Sequence, residues 1–428
     1  MNDKISIVRS GLVVPQTKHT DFCSTGEFGR NKFIHGVVSA NRKESFNHFV
    51  GGKPCFNQEE RDKYLDCTPI DETLDGKWLY AGCLTTHFGH VLAECIHRLW
   101  AWDKLSHQVE GVIVLARPDM EDINKWPAYI HTFFELFNIP ISKIKVVTKL
   151  TKVDIVYVPE QGSSLSSRIP NWYHNWVARL SPVVKKLSTK IEYKKVFVSR
   201  ENYRIRGRLA GMTALENLLE KNGYYVFKPE EHPIIKQLEV INNAEKIIWE
   251  EGSAQHLLEL LPRQKAKAFY LARRAAQRNL WVLCQCKYTS PVKYDHIINE
   301  NITSIHKPLG TGMLLSSDDL FNALASNDFI ENNSRHKSAF ANMHLNCEKR
   351  DLTLFFNRRE SDIETRNLVL SKYDQFVKLR KDKVNLNTPE AREYLNNLFG
   401  FPYDEYAANN FKRTIIEGAN NTPSLIEG

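Results

Sequence analysis

The chain has 428 residues, of which 42% are hydrophobic and 25% are charged. This length predicts more than one domain, and the composition is that of ordinary globular proteins, which excludes general disorder. The formal net charge of +8, from 58 Lys and Arg against 50 Asp and Glu, is a mild excess that suits an anionic substrate. No run of Lys and Arg is long enough for a nucleic-acid-binding arm, so no nucleic-acid partner is expected.

The eight cysteines are scattered, and only Cys284 and Cys286 lie close together. Their spacing lacks the second Cys/His pair of a zinc site, so free thiols are expected. The stretch from Met1 to Val14 has no sustained apolar segment of the signal-peptide kind, and no window approaches the roughly 18 apolar residues of a membrane span. Free thiols without a leader sequence predict a reducing, cytoplasmic location.

In chain order, residues 1 to about 75 are rich in Gly, Asn, Lys and His and are predicted to be irregular. Apolar periodicity then predicts four strands and two helices, at 78–84, 111–115, 143–147 and 153–158 and at 90–105 and 129–137. This alternation predicts an α/β domain with a largely parallel sheet over residues 1–165. Residues 166–190 form a predicted connecting segment with a helix.

A second alternation follows over residues 191–290. Strands are predicted at 195–199, 224–227, 246–249 and 266–271, and helices at 213–221, 233–242 and 254–261. Such a compact series of βα units predicts a Rossmann-like nucleotide-binding domain. Residues 291–428 are predicted to form a C-terminal helical extension and tail, with helices at 360–379 and 388–398. The predicted fold class is therefore α/β, with two Rossmann-like domains and a mainly helical C-terminal extension.

The first candidate site lies where the strand at 78–84 meets a predicted helix. His90, Glu94 and Arg98 recur at intervals of four residues and so line one helix face. Ligands of open α/β sheets bind at this end of a strand, and Gly89 favours close approach of another group. A histidine titrates near working pH, so His90 is a candidate general base. The alternative is a solvated helix face.

The second candidate site is the segment from Ser199 to Arg208, which follows a predicted strand. It carries four arginines within nine residues, namely Arg200, Arg204, Arg206 and Arg208. Guanidinium groups pair with phosphate oxygens in a bidentate manner and stay charged, so this segment suits a diphosphate. A basic surface loop is the alternative interpretation.

The third candidate site is the turn Glu251-Gly252-Ser253 with His256 after it. A Gly-Ser turn at a helix start exposes backbone N–H groups that favour a phosphate, although Ser253 can also be only a helix cap. The acidic pair Glu250-Glu251 is unfavourable beside an anion, and it fits better if one of the two residues faces sugar or acceptor hydroxyls. No dinucleotide or P-loop motif is present, and acidic pairs such as Asp318-Asp319 are typical of surface loops, so no bound metal is expected.

The order of these pieces resembles glycosyltransferase family 61, over roughly residues 78 to 271. The resemblance includes the pattern of an aromatic residue, Gly and His before a helix, and Ser-Arg after a strand. The matching positions are Phe88-Gly89-His90, Glu94, Arg98-Leu99, Ser199-Arg200, Arg204 or Arg208, Glu216, Gly223-Tyr224, Pro229-Glu230, Gln237 and Ala244. One departure concerns the last turn, where many members carry His-Gly-Ala and this chain has Glu251-Gly252-Ser253. Charged roles there, for Glu251 and His256, do not transfer directly.

The resemblance implies a two-domain fold of the GT-B type and an inverting glycosyltransferase that needs no metal or other cofactor. His90 is then the leading base, and Glu94 is either a second candidate or orients it. The positions implied to bind the donor are Arg98, Ser199, Arg200, Arg204, Arg208, Glu230, Gln237, Glu251, Gly252, Ser253 and His256. The implied partners are a nucleotide sugar, expected to be UDP-linked, and a glycan or lipid-linked glycan acceptor.

The resemblance further implies a hexosyl- or pentosyltransferase of capsule, exopolysaccharide or lipopolysaccharide assembly, working in the cytoplasm or at the inner face of the cytoplasmic membrane. Peripheral membrane association and oligomerisation stay open. Two alternatives also stay open: a phospho- or sulfotransferase acting on a glycan, and a catalytically inactive glycan-binding protein. The donor sugar, the acceptor and the linkage do not follow from the sequence.

Overall fold

The computed structural model describes residues 4–15, 35–46, 49–50, 53–54, 58–116, 120–165, 167–203, 207–273, 278–298, 312–358, 363–381 and 388. Within these residues the protein is a mixed α/β structure with parallel strands and a helical part, which confirms the predicted fold class at that level. No helix among them is long and apolar enough to cross a membrane. Their cysteines carry free thiols, and Cys23 and Cys55 lie outside the described residues.

The strands are β1 (Ile5–Val14), β2 (Gly36–Val38), β3 (Ser45–Phe46), β4 (Phe49–Val50), β5 (Lys53–Pro54), β6 (Glu72–Cys83), β7 (Gly111–Leu115), β8 (Ile144–Val147), β9 (Thr151–Pro159), β10 (Lys195–Val198), β11 (Tyr225–Phe227), β12 (Lys246–Glu250), β13 (Lys267–Leu271), β14 (Val292–Tyr294), β15 (Ile297–Ile298) and β16 (Met313–Leu314).

The α-helices are α1 (Gln58–Cys67), α2 (Phe88–His90), α3 (Trp102–Leu105), α4 (Ala128–Leu136), α5 (Asn171–Arg179), α6 (Pro182–Lys185), α7 (Met212–Lys221), α8 (Ile234–Asn243), α9 (Arg278–Lys287), α10 (Ser317–Ser326), α11 (Ser334–Arg358) and α12 (Ile363–Lys381). A π-helical turn spans Val91–Cys95, and 3₁₀ turns span Leu99–Ala101, Ile123–Lys125, Ile141–Lys143, Pro229–Glu231 and Ser253–Leu260.

Contact density divides the chain into two compact units. Unit 1 comprises Met1–Val198, Phe227–Tyr270 and Arg278–Val292, and unit 2 comprises Ser199–Val226, Leu271–Gln277 and Lys293–Gly428. Unit 1 therefore draws on both of the segments for which separate α/β domains are predicted. The predicted boundaries at 165, 190 and 290 stay predictions.

The larger sheet has the strand order β3-β2-β1-β9-β6-β7-β8. Its strands β9, β6, β7 and β8 run parallel, as the alternation of strands and helices predicts. Their inward side chains, including Tyr80, Ile113 and Val156, are fully buried in a common core. Burial of such a continuous apolar face is the main source of stability for a sheet of this kind.

The prediction of an irregular first segment is wrong for β1, which spans Ile5–Val14. This strand pairs antiparallel with β9 from Ile5 opposite Pro159 to Val13 opposite Thr151, and antiparallel with β2 on its other side. The sheet is therefore mixed rather than purely parallel. Ser6, Arg9 and Ser10 interrupt the apolar pattern of β1, and its partner lies far along the chain, so local periodicity gives a weak signal.

The second sheet has the order β11-β10-β12-β13-β14, and β10 pairs parallel with β12 from Lys195 opposite Lys246 to Val198 opposite Trp249. Its predicted strands are confirmed within a few residues. The helix α7 ends as predicted at Asn222, where Gly223 adopts a left-handed φ of 78° that glycine accepts without strain. The helix predicted at 254–261 is a 3₁₀ turn instead, Ser253–Leu260.

In unit 2, the long helix α11 packs against α7. Asp351 of α11 accepts a hydrogen bond from the backbone N–H of Gly211, over 2.9 Å. Glu348, on the same helix, accepts hydrogen bonds from Arg380 (2.6 Å) and from the hydroxyl of Tyr373 (3.0 Å), both on α12. The predicted helix at 360–379 is thus confirmed, and the one at 388–398 lies outside the described residues except for its first position.

Candidate active site

The segment that carries His90 is held against helix α4 by aromatic contacts. The ring of Phe88 lies edge-on to Tyr129, with centroids 5.3 Å apart, and also contacts Phe133. The Tyr129 hydroxyl donates a hydrogen bond to the carbonyl of Thr86. Phe88 and Tyr129 are half-buried, and such aromatic contacts fix the direction in which the chain leaves β6 just before His90.

His90 and Glu94 form a histidine–carboxylate dyad, which their spacing of four residues allows. Nδ1 of His90 lies 2.8 Å from Oε2 of Glu94. The Glu94 side chain is 2% exposed, whereas that of His90 is 17% exposed. A carboxylate that holds one imidazole nitrogen fixes the ring orientation and leaves the other nitrogen as the proton-transferring one.

The prediction of one continuous helix over 90–105 is wrong, and its reason lies at Val91–Cys95. There the chain forms a π-helical turn between α2 and a short 3₁₀ turn that starts at Leu99. The wider turn changes the rotation per residue, so a four-residue repeat does not stay on one face. Arg98 therefore leaves the stripe on which His90 and Glu94 lie.

Arg98 is buried inside unit 1. Its Nε donates to the carbonyl of Pro159 over 3.0 Å and its Nη1 to Oε1 of Gln161 over 2.8 Å, while its guanidinium lies 5.4 Å from the centre of the Tyr80 ring. Burial lowers the pKa of Arg98. These contacts tie β6 to the end of β9, and a donor-binding role for Arg98 stays a prediction.

Gly89 brings the first and third candidate sites together. A Cβ atom at this position would lie 3.0 Å from Oγ and 3.2 Å from Cβ of Ser253, closer than most real contacts of this kind. The absence of a side chain at Gly89 is therefore what allows the turn at Gly252-Ser253 to approach the backbone before His90. Two segments about 160 residues apart in the sequence thus share one place in unit 1.

The turn itself is partly closed by its own hydrogen bonds. The backbone N–H of Gly252 donates to Oε1 of Gln255 over 3.1 Å, and Nε2 of Gln255 is 3.3 Å from the Sγ of Cys284. The amide of Gly252 is thereby committed within the protein. Ser253 is partly exposed, so it is the member of the predicted pair that is better placed for a ligand. Glu251 beside them is fully buried.

His256 belongs to a buried cluster that the sequence prediction only half identifies. Its Nδ1 lies 2.7 Å from Oε1 of Glu259, and Oε2 of the same carboxylate lies 2.9 Å from Nε2 of His97. Nδ1 of His97 lies 3.0 Å from the hydroxyl of Tyr173. Burial alone would raise the pKa of Glu259, but His97 and His256 outweigh it and lower that pKa to about 2. The carboxylate is therefore a stable anion between two imidazoles.

Glu230 and Gln237 lie around the start of helix α8. Glu230 is exposed on the 3₁₀ turn Pro229–Glu231. Gln237 is buried, and its Nε2 donates to the carbonyl of His232 over 2.8 Å. Neither residue has a described contact with the His90 segment, and their role in donor binding stays a prediction.

In unit 2, the second candidate site is largely occupied by its own interactions. Ser199 is buried and donates from Oγ to Oε1 of Glu216 over 2.6 Å. Nε of Arg200 donates to the carbonyl of Gly207 over 3.2 Å, and its guanidinium stacks 4.6 Å from the centre of the Tyr203 ring. Arg204 lies outside the described residues.

Arg208 is buried between two carboxylates of unit 2. Its Nη1 donates to the side chain of Glu201, and its Nη2 lies 2.7 Å from Oδ2 of Asp351. Oε1 of Glu201 also accepts a hydrogen bond from the hydroxyl of Thr213, over 2.8 Å. This closed network joins the Ser199 segment to α7 and α11, so the charge of Arg208 is already neutralised within the protein.

Sequence reasoning missed His97, Glu259 and Tyr173. Glu259 follows His256 by three residues, a spacing that places side chains on one side of a helical turn, so this pair carried a usable signal. Tyr173 carried none, because it reaches His97 only when helix α5 packs against Gly162. There a Cβ would lie 2.2 Å from the Tyr173 ring, and only a glycine leaves room for it.

Residues 88–266 match the sequence profile of the family described as Glycosyltransferase 61. No curated protein matches the chain. Among solved structures, the chain is similar to one described as the dodecameric iron-containing heptosyltransferase TibC in complex with ADP-D-β-D-heptose. The identity is 9% and the TM-score is 0.26, over 76% of this chain and 83% of that chain. The family match spans both the His90 dyad and the turn at Ser253, and it confirms the resemblance predicted from the sequence.

Proposed function

We propose that this chain, whose residues 88–266 belong to glycosyltransferase family 61, transfers a sugar from a nucleotide-sugar donor to a glycan or lipid-linked glycan acceptor. The observation that carries this proposal is the contact of Gly89 with Ser253. It joins a histidine–carboxylate dyad to a turn at which phosphate binding is predicted. Glycosyl transfer needs a group that activates the acceptor and a group that stabilises the leaving group. The dyad and the turn would supply these two groups within unit 1.

The proposed reaction is inverting and metal-independent. His90 takes the proton of the acceptor hydroxyl, and that oxygen attacks the anomeric carbon from the face opposite the leaving group. The new C–O bond forms as the bond from the anomeric carbon to the phosphate breaks, and the nucleoside diphosphate departs with the electron pair. Glu94 stabilises the imidazolium that forms, as its 2.8 Å contact allows.

His256 is the competing base, because Glu259 holds its Nδ1 just as Glu94 holds that of His90. Two differences favour His90. The His90 side chain is 17% exposed against 9% for His256, and Glu259 is shared with His97. We therefore assign His256 to the support of the Ser253 turn and to contact with the donor.

The leaving diphosphate is proposed to contact Ser253, in unit 1. Donor contacts of Arg200 and Arg204, which the family resemblance implies, are a separate proposal. Guanidinium groups aimed at developing negative charge lower the barrier without a metal. The proposal extends to a GT-B arrangement of two Rossmann-like domains, a UDP-linked hexose or pentose donor, and a role in capsule, exopolysaccharide or lipopolysaccharide assembly at the cytoplasmic side of the membrane.

A panel of nucleotide sugars tests the proposal directly. The purified chain is mixed in the presence of EDTA with UDP-, GDP- and CMP-sugars and, for comparison, with ATP and a sulfonucleotide. Thermal shift and release of free nucleotide are measured. We expect one donor class to stabilise the protein and to be hydrolysed slowly, with an inverted anomer in the first product formed. No response to any donor would refute the proposal, and a response only to ATP or to a sulfonucleotide would favour a phospho- or sulfotransferase.

A further inference from the structure

Unit 1 contains a cavity of about 580 Å³ that none of the predicted donor residues lines. It lies beside the start of helix α5, the segment after the 3₁₀ turn Ser253–Leu260, and the end of helix α9. Its lining includes Arg168, Asn171, His174, Arg263 and Lys287.

The charge of this cavity is of one sign. Arg168, Arg263 and Lys287 contribute positive charge, and none of the described residues that line the cavity is Asp or Glu. Arg168 and Arg263 are exposed, whereas Lys287 is buried at 1% exposure. Positive charges in a concave site attract an anion, and the low dielectric of the walls strengthens the attraction.

The Lys287 ammonium group has more N–H donors than it has hydrogen-bond partners among the described residues. Its Nζ donates to the carbonyl of Leu261 over 2.6 Å and lies 3.4 Å from Nδ1 of His174. An ammonium group has three N–H donors. Burial, together with Lys287 and Arg263, lowers the pKa of His174 to about 3, so this imidazole is neutral and can accept from the ammonium. The remaining donor is available to a ligand.

We propose that this cavity is a binding site for a phosphoryl group, held by Lys287 and Arg263, with Arg168 at its edge. In the described part of the chain, the cavity is lined by three cationic side chains and no acidic ones, so a doubly charged phosphoryl group fits it better than a singly charged carboxylate ligand would. The side chains of Asn171, Gln285 and Thr289, which also line the cavity, offer neutral hydrogen bonds to the group that carries the phosphate. The site goes beyond the proposed function, because none of its residues belongs to the predicted donor or catalytic set.

The ionisation of Lys287 should make anion binding depend on pH, which would not be expected if Lys287 had only a structural role. Burial lowers its pKa to about 7, with Arg263 adding to the lowering and Glu259 and Cys286 opposing it. His174, the other group against the ammonium, is neutral throughout the range of interest. A bound dianion favours the protonated lysine. Binding should therefore weaken as pH rises through 7, by about tenfold between pH 6 and pH 8, because the competent fraction falls by that factor.

Sulfate is the test probe, because it stays a dianion across this pH range. Its affinity for the intact chain is measured by calorimetry at constant ionic strength, at pH 6 and at pH 8. The variants are Arg263→Gln, Lys287→Met and Arg179→Gln. Arg179 is an exposed residue of the same helix α5 that does not line the cavity, so its replacement is the matched control.

We expect wild type and Arg179→Gln to bind sulfate equally. Arg263→Gln should bind about tenfold more weakly, the usual loss for one charged hydrogen bond, and should keep the pH dependence. Lys287→Met should lose both binding and pH dependence. If Lys287→Met does not fold, the comparison of Arg263→Gln with Arg179→Gln still decides. Absence of binding to wild type, or equal binding by Arg263→Gln, would overturn the proposal.

Competition identifies the source of the phosphoryl group. Displacement of sulfate by UDP would assign the cavity to a nucleotide, and displacement by glucose 1-phosphate alone would assign it to a phosphorylated glycan. Displacement by neither compound contradicts a phosphoryl site. Donor hydrolysis does not enter these measurements, so failure of the proposed glycosyl transfer would leave this result readable.

Discussion

Two regions of the protein carry the charged motifs that the sequence singles out, and they differ in what their charges contact. In unit 1, the His90–Glu94 dyad keeps a partly exposed imidazole one residue after Gly89, the position that meets the turn at Ser253. In unit 2, the guanidinium of Arg208 is enclosed between Glu201 and Asp351. The first arrangement holds a group that can exchange a proton with a ligand, and the second holds an ion-pair network that links structural elements.

This difference shows that the density of charge in a motif does not identify a site. Four arginines in nine residues stand out in the sequence, but Glu201 of the same segment and Asp351 of helix α11 pair with one of them, Arg208. His90 is less conspicuous, and its partner Glu94 is a single carboxylate four residues away that orients it. The position of the counter-charge decides which motif is available for chemistry.

Of the substitutions considered, His90→Ala should lower activity the most. If it did not, the His90–Glu94 dyad would not differ in function from the ion-pair network of Arg208. Loss of a general base lowers kcat by about 10²–10⁴-fold, whereas donor affinity should change little. The measurement is single-turnover transfer, or donor hydrolysis if no acceptor is known. His107→Ala, at an exposed position of the same stretch, is the control. Full activity of His90→Ala would transfer the role of base to another group, with His256 next in line.

Arg208→Met tests the structural side of the comparison. Removal of Arg208 from this buried ion-pair network leaves Glu201 and Asp351 with only the half-exposed Arg350 as counter-charge among the described residues and should cost about 3 kcal/mol of stability. Arg200→Met, at a half-buried position that contacts Tyr203, should cost far less. Denaturant unfolding followed by fluorescence measures both. If Arg208→Met kept its stability and lost donor affinity instead, Arg208 would be a donor ligand, as the family resemblance implies.

Glu259→Gln examines the cluster that joins the Ser253 turn to His97. At pH 7 we expect a loss of about 3 kcal/mol, because an anion between two imidazoles is removed. The pKa of Glu259 is depressed from 4.5 to about 2, so its contribution is complete above pH 4.5 and disappears as the pH falls toward 2. Midpoints of unfolding for wild type and variant should therefore converge in acid. A difference that does not depend on pH would rule out this electrostatic role.

Gly89→Ala is expected to have the smallest effect on activity. It tests whether the contact between the Gly89 and Ser253 segments of unit 1 contributes to donor binding. The added methyl group would meet Ser253 at about 3.0 Å, so the turn must shift by a few tenths of an ångström. We expect a rise of a few-fold in donor KM, since small displacements of positioning groups weaken binding. The double variant Gly89→Ala with Ser253→Gly removes the clash, so its donor KM should equal that of Ser253→Gly alone, which lacks only the proposed hydroxyl contact. A KM unchanged in Gly89→Ala would mean that no ligand uses this contact.

Much of the fold follows from local periodicity. Strand β7 and the second half of β6, from Trp78, are apolar runs, and β8 is apolar apart from Lys145. Helix α7 ends at Asn222-Gly223 as the left-handed glycine predicts. The strand β1 escapes such reasoning because its pairing with β9 is non-local and its outer face is polar. The π-helical turn at Val91–Cys95 also cannot be predicted from the sequence. Its i→i+5 hydrogen bonds replace those of an α-helix without requiring a distinct pattern of residue types.

For the site, the residue types in the sequence predict the available chemistry: His90 with Glu94 at helical spacing, a Gly-Ser turn after a strand, and an order of motifs that matches a glycosyltransferase family. Which of these groups contact each other, and which are already bound by other side chains, depends on the packing of distant segments. Only packing places Ser253 against Gly89, encloses Arg98 and Arg208, and sets Glu259 between His97 and His256. The physical reason is that side-chain identity fixes what a group can do, whereas burial and the nearest opposite charge fix whether it is available to do it.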